Sequence, residues 1–492
     1  MGIIQKQAIK GTIYSYLGVL IGFITTGLLF PRILTTDENG LLKLLISYSL
    51  IFAQFASLGF NSVTTRLFTY FRDHKNSHHG FLFIAFIVGL GGFIIIIIAF
   101  FLLKPLIISN SIDKSALFVE YLYYIIPLIF FTLFFSILDN YYKVLYNAVR
   151  GTFLKEFLQR LLILFSVILY YFNLLNFNFF VIAYITAICL PTIFISISLI
   201  LEKQFSLKPD FSYLSKEMSR TMISVSVYGI LISFSGILIL NIDSIMINSM
   251  IGISQTGIYA ITFFFGTIIL IPSRSLTKIS AAVIADAWKE KNLILIKDIY
   301  YKSCLNQLIF AGLLFIGIWA NINNIFKILP PEYEPGKYVI FFIGISSLIQ
   351  MASGISNIVI FNSKYYKVHT YFMLILVVLI ITTNLIFIPK YGIVGAAMAS
   401  ALSNLVFNLL KFIFLYFKFR MQPFDRKYFI IIIAAGLSYI IGYLLPEIKN
   451  YIFDIIIRSA IIALVYGSFI LIFKVSDELN QKFFQIFKFI KK

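Results

Sequence analysis

Charged residues are scarce in this chain of 492 amino acids: they make up 12% of it, about half the share found in soluble domains. Cysteine is nearly absent, since Cys189 and Cys304 are the only two and both lie in or beside apolar runs. This indicates neither a disulfide framework nor a metal site. His74, His78 and His79 share one polar loop, but no cysteine or carboxylate cluster completes a ligand set. We interpret that segment as a solvated loop.

Motifs of nucleotide binding and covalent catalysis are also missing. The chain has no P-loop, no HExxH and no GxSxG, so it lacks the machinery that those patterns supply. Glu332 and Glu334 form a close acidic pair in a predicted external loop, and two prolines precede them, which indicates a solvated turn. The sequence therefore predicts a protein that is not an enzyme. A membrane glycosyltransferase or polymerase is the alternative from another class, and the short external loops disfavour it.

Apolar residues dominate: 60% of the chain is hydrophobic and the mean hydropathy is +0.94. No soluble core hides that much apolar surface, which excludes soluble, secreted and disordered proteins. A membrane-spanning helix needs about 20 mostly apolar residues. Fourteen segments meet this requirement and predict an all-α integral membrane protein. They are residues 11–31, 42–61, 81–103, 119–140, 157–174, 179–201, 222–247, 258–276, 303–326, 338–361, 369–388, 393–417, 428–446 and 452–473.

The distribution of basic residues predicts the topology. With the N-terminus in the cytoplasm, the cytoplasmic segments carry 30 of the 40 Lys and Arg residues, and the external segments carry eight. Because Lys and Arg concentrate on the cytoplasmic side of membrane proteins, this bias supports an even number of spans with both termini inside. The formal net charge of +19 follows from the same bias, so we assign no nucleic-acid partner.

A weak internal repeat divides the predicted spans into two lobes. Tyr14–Phe23 and Val225–Phe234 match without gaps at an offset of 211 residues, with five identical positions. Lobes of six helices each share one orientation and are related by an axis along the membrane normal. The predicted parts are an N-terminal lobe (1–210), a C-terminal lobe (211–420), an added helix pair (421–474) and a cytoplasmic tail (475–492).

The tail from Asp477 to Lys492 has an amphipathic pattern. Phe483, Phe484, Phe487 and Ile490 fall on one helical face with lysines beside it. This pattern is typical of a helix that lies on the inner leaflet of the membrane. Binding of a partner protein is the alternative.

Three segments resemble a known family. Asn384–Ala401 reads NLIFIPKYGIVGAAMASA, Asn241–Tyr259 carries an aspartate and ends in GIY, and Arg32–Gly40 is followed by LGF and TR. These segments resemble the polysaccharide flippase family of the multidrug/oligosaccharidyl-lipid/polysaccharide exporter superfamily. In physical terms the first segment is mainly architectural. Pro389 and Gly392 suit a tight turn between two spans, and the small residues that follow let a neighbouring helix approach closely.

The resemblance implies a flippase that moves polyprenyl-pyrophosphate-linked oligosaccharide from the cytoplasmic to the outer face of the bacterial inner membrane, for O-antigen, capsule or another surface polysaccharide. It implies alternating access, in which a cavity between the lobes holds the pyrophosphate and the glycan. The last helix pair is expected to line a groove for the polyprenyl tail of the substrate. The implied partners are the lipid-linked glycan, membrane lipids and other polysaccharide assembly proteins. No bound cofactor is expected. Energy is expected from an H⁺ or Na⁺ gradient or from glycan consumption outside.

Polar groups inside the predicted spans are the first site candidates. A charge at the centre of a membrane helix costs about 2.5–3.5 kcal/mol on insertion scales, so it tends to face a cavity or a partner. Asn241, Asp243 and Asn248 lie near the predicted outer end of the seventh span, and the repeat offset places Arg32 opposite Asp243. We predict an ion pair between these two residues that closes the external mouth. A structural carboxylate near the interface is the alternative for Asp243.

Basic residues are the second group of candidates. Four arginines lie near predicted cytoplasmic span ends: Arg66, Arg150, Arg220 and Arg274. Because the guanidinium fork pairs with phosphate oxygens, Arg66 and Arg274 are candidates for holding a pyrophosphate, although topology alone explains most such residues. Lys411 lies inside the twelfth predicted span, from where its long side chain can snorkel to the interface, and is also a candidate. Arg458 and Asp454 are one helical turn apart and are predicted to neutralise each other.

Two members of the same superfamily remain as alternatives. A multidrug exporter is expected to carry an acidic residue in the first span, and residues 11–31 contain none. A lipid II flippase also has fourteen spans, but its arginine-rich signature is not obvious in this chain. The sequence therefore favours the glycan-lipid flippase over both.

Overall fold

The computed structural model describes residues 3–111, 113–210 and 213–481, together with residue 485. Within these residues the chain forms helices and no strand, which confirms the predicted all-α class. The tail positions Phe483, Phe484, Phe487 and Ile490 lie outside the described residues, so the predicted amphipathic helix stays a prediction.

Twelve helices in the described part of the chain are long and apolar enough to cross a membrane. We number the spans in chain order, leaving number 5 for a segmented helix and number 12 for the second half of the longest one. Spans 1 to 4 are Ile9–Ile33, Thr36–Ala56, Ser77–Ser109 and Leu122–Val144. Spans 6 to 10 are Phe177–Leu201, Lys216–Met250, Ile253–Arg274, Leu293–Ala320 and Pro331–Ala352. The remaining three helices are Tyr366–Phe419, Arg426–Leu444 (span 13) and Tyr451–Ile472 (span 14).

Span 5 is assembled from three consecutive pieces. They are Ala148–Thr152, a π-helical segment Phe153–Leu158, and Gln159–Tyr171. The widened turn interrupts the regular α-helix, and such segments are rare in proteins and occur often at functional sites. Counted as one helix, these pieces match the predicted span at residues 157–174.

The 54-residue helix Tyr366–Phe419 is two spans joined by one sharp break. The break lies at Gly392, where φ is 60° and ψ is −138°, a conformation that glycine adopts at little cost. Spans 11 and 12 lie on either side of it, so the predicted bend is found three residues after Pro389. With spans 5 and 12 added, the count agrees with the fourteen predicted helices.

Span 2 begins earlier than predicted because a capping box precedes it. The Glu38 backbone N–H donates to Thr35 Oγ1 at 3.2 Å, and the Thr35 N–H donates to Glu38 Oε2 at 2.8 Å. This reciprocal pair satisfies two otherwise unbonded donors at a helix start. The helix therefore starts at Thr36, six residues before the predicted boundary, and includes Lys43.

The contacts within the chain define two compact units, Met1–Ile261 (unit 1) and Thr262–Lys492 (unit 2). In unit 1, span 4 contacts spans 2, 3 and 6, while span 7 packs along span 2 and the short helix Phe60–Phe71. Span 7 is therefore grouped with the helices that precede it. The predicted division at residue 210 follows the repeat and not the packing, so it stays a prediction.

Span 3 opens with a left-handed turn at Ser77–Gly80. All four residues have positive φ, from 49° to 67°, which L-residues rarely adopt consecutively. His78 is 2% exposed with Nε2 3.2 Å from Gln204 Oε1, and His79 stacks on the Tyr213 ring at 3.8 Å. The prediction of a solvated loop is wrong at His78, because the segment that follows span 6 covers it.

In unit 2, span 9 contacts spans 10, 13 and 14. A buried ion pair fixes the last helix: Arg458 Nη2 lies 3.1 Å from Asp454 Oδ1, and the two residues are 5% and 2% exposed. Asn324, on the short helix Ile322–Ile328, donates to the same carboxylate. The predicted self-neutralising pair is therefore confirmed, and it ties span 14 to the helix after span 9.

Candidate functional site

A buried polar cluster lies near the C-terminal end of span 7. Asn241 and Asp243 are each 4% exposed. Tyr259, in the part of span 8 that belongs to unit 1, donates its hydroxyl hydrogen to Asp243 Oδ2 at 2.8 Å. Ser47 of span 2 donates to Asn241 Oδ1 at 3.1 Å. Three helices therefore meet at these side chains, and hydrogen bonding makes their burial tolerable.

Lys43 of span 2 joins this group. Its Nζ donates to Asn241 Oδ1 at 3.4 Å, and its ammonium interacts electrostatically with the Asp243 carboxylate. We call Lys43, Ser47, Asn241, Asp243 and Tyr259 the Asp243 cluster. Lys43 lies at the edge of the predicted span 42–61, was counted among the eight external basic residues, and was missed as a site residue. The pattern Thr35-x-x-Glu38 is the signal that shows the earlier helix start.

The first turns of spans 2 and 8 approach each other through glycines. A Cβ on Gly40 would lie 2.2 Å from the Ile253 carbonyl oxygen, and a Cβ on Gly257 would lie 1.9 Å from the Thr36 carbonyl oxygen. The hydroxyls of Thr36 and Ser254 form a hydrogen bond of 2.7 Å. We call these five residues the glycine seam. Only glycine permits backbones to come this close in a membrane bundle.

Span 7 packs closely along the rest of its length in unit 1. A Cβ on Gly59 (φ 71°) would lie 2.1 Å from the Ser226 carbonyl oxygen. The Phe55 and Phe234 rings have centroids 4.1 Å apart. Gly229 faces Ser62, whose Oγ is 2.6 Å from the position of a Cβ there. The repeat residues Gly229 and Phe234 are thus used for helix packing.

The three predicted arginines lie on exposed positions. Arg32 is in the short helix Phe30–Ile33, Arg66 is in Phe60–Phe71, and Arg274 is in the first turn of Ile271–Lys289, the helix that continues span 8. Asp243 is buried, with Tyr259 and Lys43 beside it, so the proposed pair between Arg32 and Asp243 stays a prediction.

Arg150 and Lys411, two of the other basic residues considered, make the following contacts. Arg150 Nη2 forms an ion pair of 3.1 Å with Glu202. Lys411 is 1% exposed and donates to Asn357 Oδ1 at 3.0 Å. The prediction that Lys411 snorkels to the interface is therefore wrong, because its amine finds an acceptor inside unit 2.

An apolar groove runs along unit 2 between spans 9, 10 and 13. Its volume is about 780 Å³, and its walls include Phe315, Trp319, Phe341, Phe429 and Ile432. Among the described residues that line the groove, Asp425 alone is charged. Its Oδ2 accepts a hydrogen bond from the Tyr301 hydroxyl at 2.5 Å. The lining residues of span 13 extend from Tyr428 to Tyr439, about 17 Å at 1.5 Å per residue.

The arrangement offers polar contacts between helices and an apolar surface. Among the residues that the structure describes, no group of three or more His, Cys, Asp or Glu side chains is placed to hold a metal ion. The Asp243 cluster and the glycine seam join spans 2, 7 and 8 within unit 1, and the groove offers an extended apolar surface on unit 2.

Solved structures of transporters share this fold. The lipid II flippase MurJ in an inward closed conformation matches with a TM-score of 0.73 and 15% identity, over 94% of this chain and 98% of that chain. A multidrug resistance MATE family transporter of the MOP superfamily, in an inward-facing conformation, matches with a TM-score of 0.65 and 13% identity, over 83% and 94%. A MATE transporter of Vibrio cholerae in its bent form has a TM-score of 0.51 and 14% identity, over 84% and 97%.

The fold is therefore of the MurJ and MATE type, in a multi-pass membrane protein. No protein-family model matches the chain, and no curated protein matches it in sequence.

Proposed function

We propose that this protein is a flippase, not an enzyme, and that it moves polyprenyl-pyrophosphate-linked oligosaccharide to the outer face of the bacterial inner membrane. Its product supplies O-antigen, capsule or another surface polysaccharide. The observation that carries the proposal is the apolar groove of unit 2, about 780 Å³ in volume. Such walls accept a hydrocarbon chain, whereas a polar ligand buried there leaves its groups without hydrogen bonds.

The lengths of the structural neighbours support a lipid substrate. MurJ covers 94% of the chain, and the inward-facing MATE transporter covers 83%. The 11% of the 492 residues that separates these coverages is about 50 residues. This is close to the length of the helix pair from Arg426 to Ile472. Span 13 of that pair forms one wall of the groove, as a groove for a polyprenyl tail requires.

The pyrophosphate needs cations, and the exposed arginines supply them in this proposal. With both termini in the cytoplasm, Arg66 and Arg274 lie toward the cytoplasmic side, where the substrate is loaded. Their guanidinium groups are exposed and pair with phosphate oxygens in bidentate fashion. Arg32 lies toward the external side, where the substrate leaves.

In the same orientation, the Asp243 cluster and the glycine seam form the external gate. Opening it in an alternating-access cycle breaks the hydrogen bonds from Lys43 to Asn241 and from Tyr259 to Asp243. It also separates Gly40 from Ile253. Net hydrogen-bond contributions in membrane bundles average about 0.6 kcal/mol each, so a few such contacts hold a gate that a gradient can still open.

The multidrug exporter is disfavoured because span 1, Ile9–Ile33, contains no acidic residue. A lipid II flippase shares both the fold and the lipid tail, and it differs from our proposal in the sugar that is carried. The substrate assay separates these possibilities directly.

The experiment measures which membrane face holds the lipid-linked oligosaccharide in cells that lack this protein. We expect accumulation on the cytoplasmic face with unchanged drug sensitivity. Complementation with the wild type restores delivery. The variant Gly436→Trp, which fills the groove at a glycine whose added Cβ would have nothing within 4 Å, is expected to fail.

Gly467→Trp is the matched control. A Cβ added at Gly467 would also have nothing within 4 Å, and this glycine lies on span 14 outside the groove, so the variant is expected to complement. Normal delivery in the absence of the protein contradicts the proposal. Accumulation of lipid II in place of the oligosaccharide assigns the alternative sugar, and altered drug efflux alone assigns the exporter.

A further inference from the structure

Lys411 is a lysine enclosed within unit 2. It is 1% exposed. Its Nζ donates to Asn357 Oδ1 at 3.0 Å and lies 4.5 Å from the centroid of the Phe407 ring. An amide oxygen and an aromatic face both attract an ammonium group. Neither of them carries a negative charge.

No carboxylate accompanies this lysine in the described part of the chain. The titratable groups that interact electrostatically with it are the Cys304 thiol and the His369 imidazole. Elsewhere in the same unit, buried Arg458 has its counter-ion Asp454 at 3.1 Å. An isolated buried charge is disfavoured strongly because it loses its hydration. Unlike Arg458, Lys411 has no counter-ion beside it among the described residues. Losing a proton therefore removes the free-energy cost of burying its charge.

The groups that interact with Lys411 lie on three other elements of unit 2. Asn357 belongs to the short helix Ser356–Asn362, His369 to span 11 and Cys304 to span 9. Cys304 in turn interacts with Tyr300 of span 9 and Tyr428 of span 13. The thiol and the two tyrosine hydroxyls are neutral when protonated. The His369 imidazole is neutral when it carries one proton and positive when it carries two.

Two polar atoms near Lys411 have no hydrogen-bond partner. His369 Nδ1 and the Tyr428 hydroxyl are buried and unpaired, in residues that are 8% and 7% exposed. Buried polar atoms are almost always satisfied, so these two are exceptions to a general rule. Tyr428 also lines the apolar groove, which connects this buried cluster to the groove wall.

We propose that Lys411 is the proton-binding site that couples this transporter to a proton gradient, an inference that rests on the proposed function. Nζ takes up one proton as an ammonium and releases it as an amine, and no other bond forms or breaks. A proton requires no cavity, which suits a side chain that is 1% exposed. Sodium does not fit this site, because hard cations prefer oxygen ligands and an ammonium repels them.

The arrangement also indicates what the proton changes. With the ammonium present, the hydrogen bond to Asn357 is charge-assisted and holds the helix Ser356–Asn362 more strongly. The charge also acts on Cys304, which neighbours Tyr428 on the groove wall. Binding or release of the proton therefore changes the packing beside the groove.

The first test measures proton binding without any substrate. Thermal unfolding of the full chain in lipid nanodiscs is followed between about pH 6 and pH 10 for the wild type, Lys411→Met and Lys418→Met. An unfolded lysine keeps its proton below about pH 10, and stability rises with pH wherever the unfolded chain binds more protons. We expect the wild type to gain several degrees relative to Lys411→Met as the pH rises.

Lys418 is the control because it lies on the same helix and is exposed. Its variant should differ from the wild type by an amount that does not change with pH. A pH-independent difference for Lys411→Met as well overturns the proposal. If that variant does not fold, Lys411→Arg replaces it, since arginine keeps its charge throughout this range and removes the titration alone.

The second test measures coupling. Flipping of a fluorescent polyprenyl-pyrophosphate glycan in vesicles is compared with and without an imposed pH gradient. We expect stimulation of up to roughly tenfold per pH unit in the wild type, the ratio of proton activities, and none in Lys411→Arg. Stimulation that persists in Lys411→Arg overturns the inference. Absence of any flipping by the wild type contradicts the proposed function and leaves the unfolding result intact.

Discussion

Replacing Arg458 by methionine is expected to destabilise unit 2 severely. Arg458 donates to Asp454 at 3.1 Å, to the Leu445 carbonyl at 3.3 Å and to the Gly442 carbonyl. The variant leaves the Asp454 carboxylate buried with only Asn324 and a backbone N–H as donors, and it leaves two carbonyls without theirs. Breaking a buried ion pair from one side costs about 3–5 kcal/mol, or roughly 10 °C in unfolding midpoint for a unit of this size.

The double variant Asp454→Leu, Arg458→Met should recover much of this loss. Apolar replacement of a whole buried pair is often neutral or even stabilising, and both positions lie on a helix that crosses the membrane. We therefore expect the double variant to unfold at a higher temperature than Arg458→Met alone. The order of the two midpoints tests the reasoning more sharply than either value does.

The assay is thermal unfolding of the purified protein, with Lys327→Met as the control. Lys327 and Glu447 form an ion pair of 3.2 Å that joins the short helix Ile322–Ile328 to the loop before span 14. Their side chains are 46% and 66% exposed. Exposed pairs contribute about 0–1 kcal/mol, so this variant should lose no more than a few degrees. Equal losses for Lys327→Met and Arg458→Met refute the argument from burial, as does a double variant less stable than the single one.

Two further predictions concern the close backbone contacts of unit 1. Gly257→Leu forces spans 2 and 8 apart, because its Cβ alone would lie 1.9 Å from the Thr36 carbonyl oxygen. We expect a loss of about 1–3 kcal/mol, measured by thermal unfolding, and a much smaller loss for Gly317→Leu, where nothing lies within 4 Å. Gly80→Ala strains a residue with φ of 67° and presses on the Asp210 backbone 2.8 Å away. Proteolysis of the chain between spans 6 and 7 should accelerate, and an unchanged cleavage rate contradicts the argument that Gly80 packs against this segment.

The sequence predicted the helices well because lipid imposes one strong rule on them. Backbone groups in a bilayer must bond within their own helix, so apolar runs report spans reliably. Even the bend at Gly392 is visible, since only glycine tolerates its backbone angles.

The polar contacts were less predictable, because they depend on which helices meet. Lys43 lies at the edge of a predicted span, and nothing near it in the sequence points to its partner Asn241, which is 198 positions away. Lys411 looked free to snorkel, but Asn357 on a separate short helix accepts its hydrogen bond. His78 looked solvated, although the chain beyond span 6 covers it. Hydropathy carries no information about such distant pairings.

The groove of unit 2 has a consequence for inhibitor chemistry. Phe429 and Ile432 on its wall are 71% and 64% exposed, and on a membrane-crossing helix such side chains meet hydrocarbon. A ligand therefore reaches the groove by first dissolving in the bilayer. Each added methylene favours the membrane by about 0.8 kcal/mol, which raises the local concentration about fourfold. The potency of a lipophilic inhibitor should thus increase with chain length, until the chain exceeds the roughly 17 Å of helical wall available at 1.5 Å per residue.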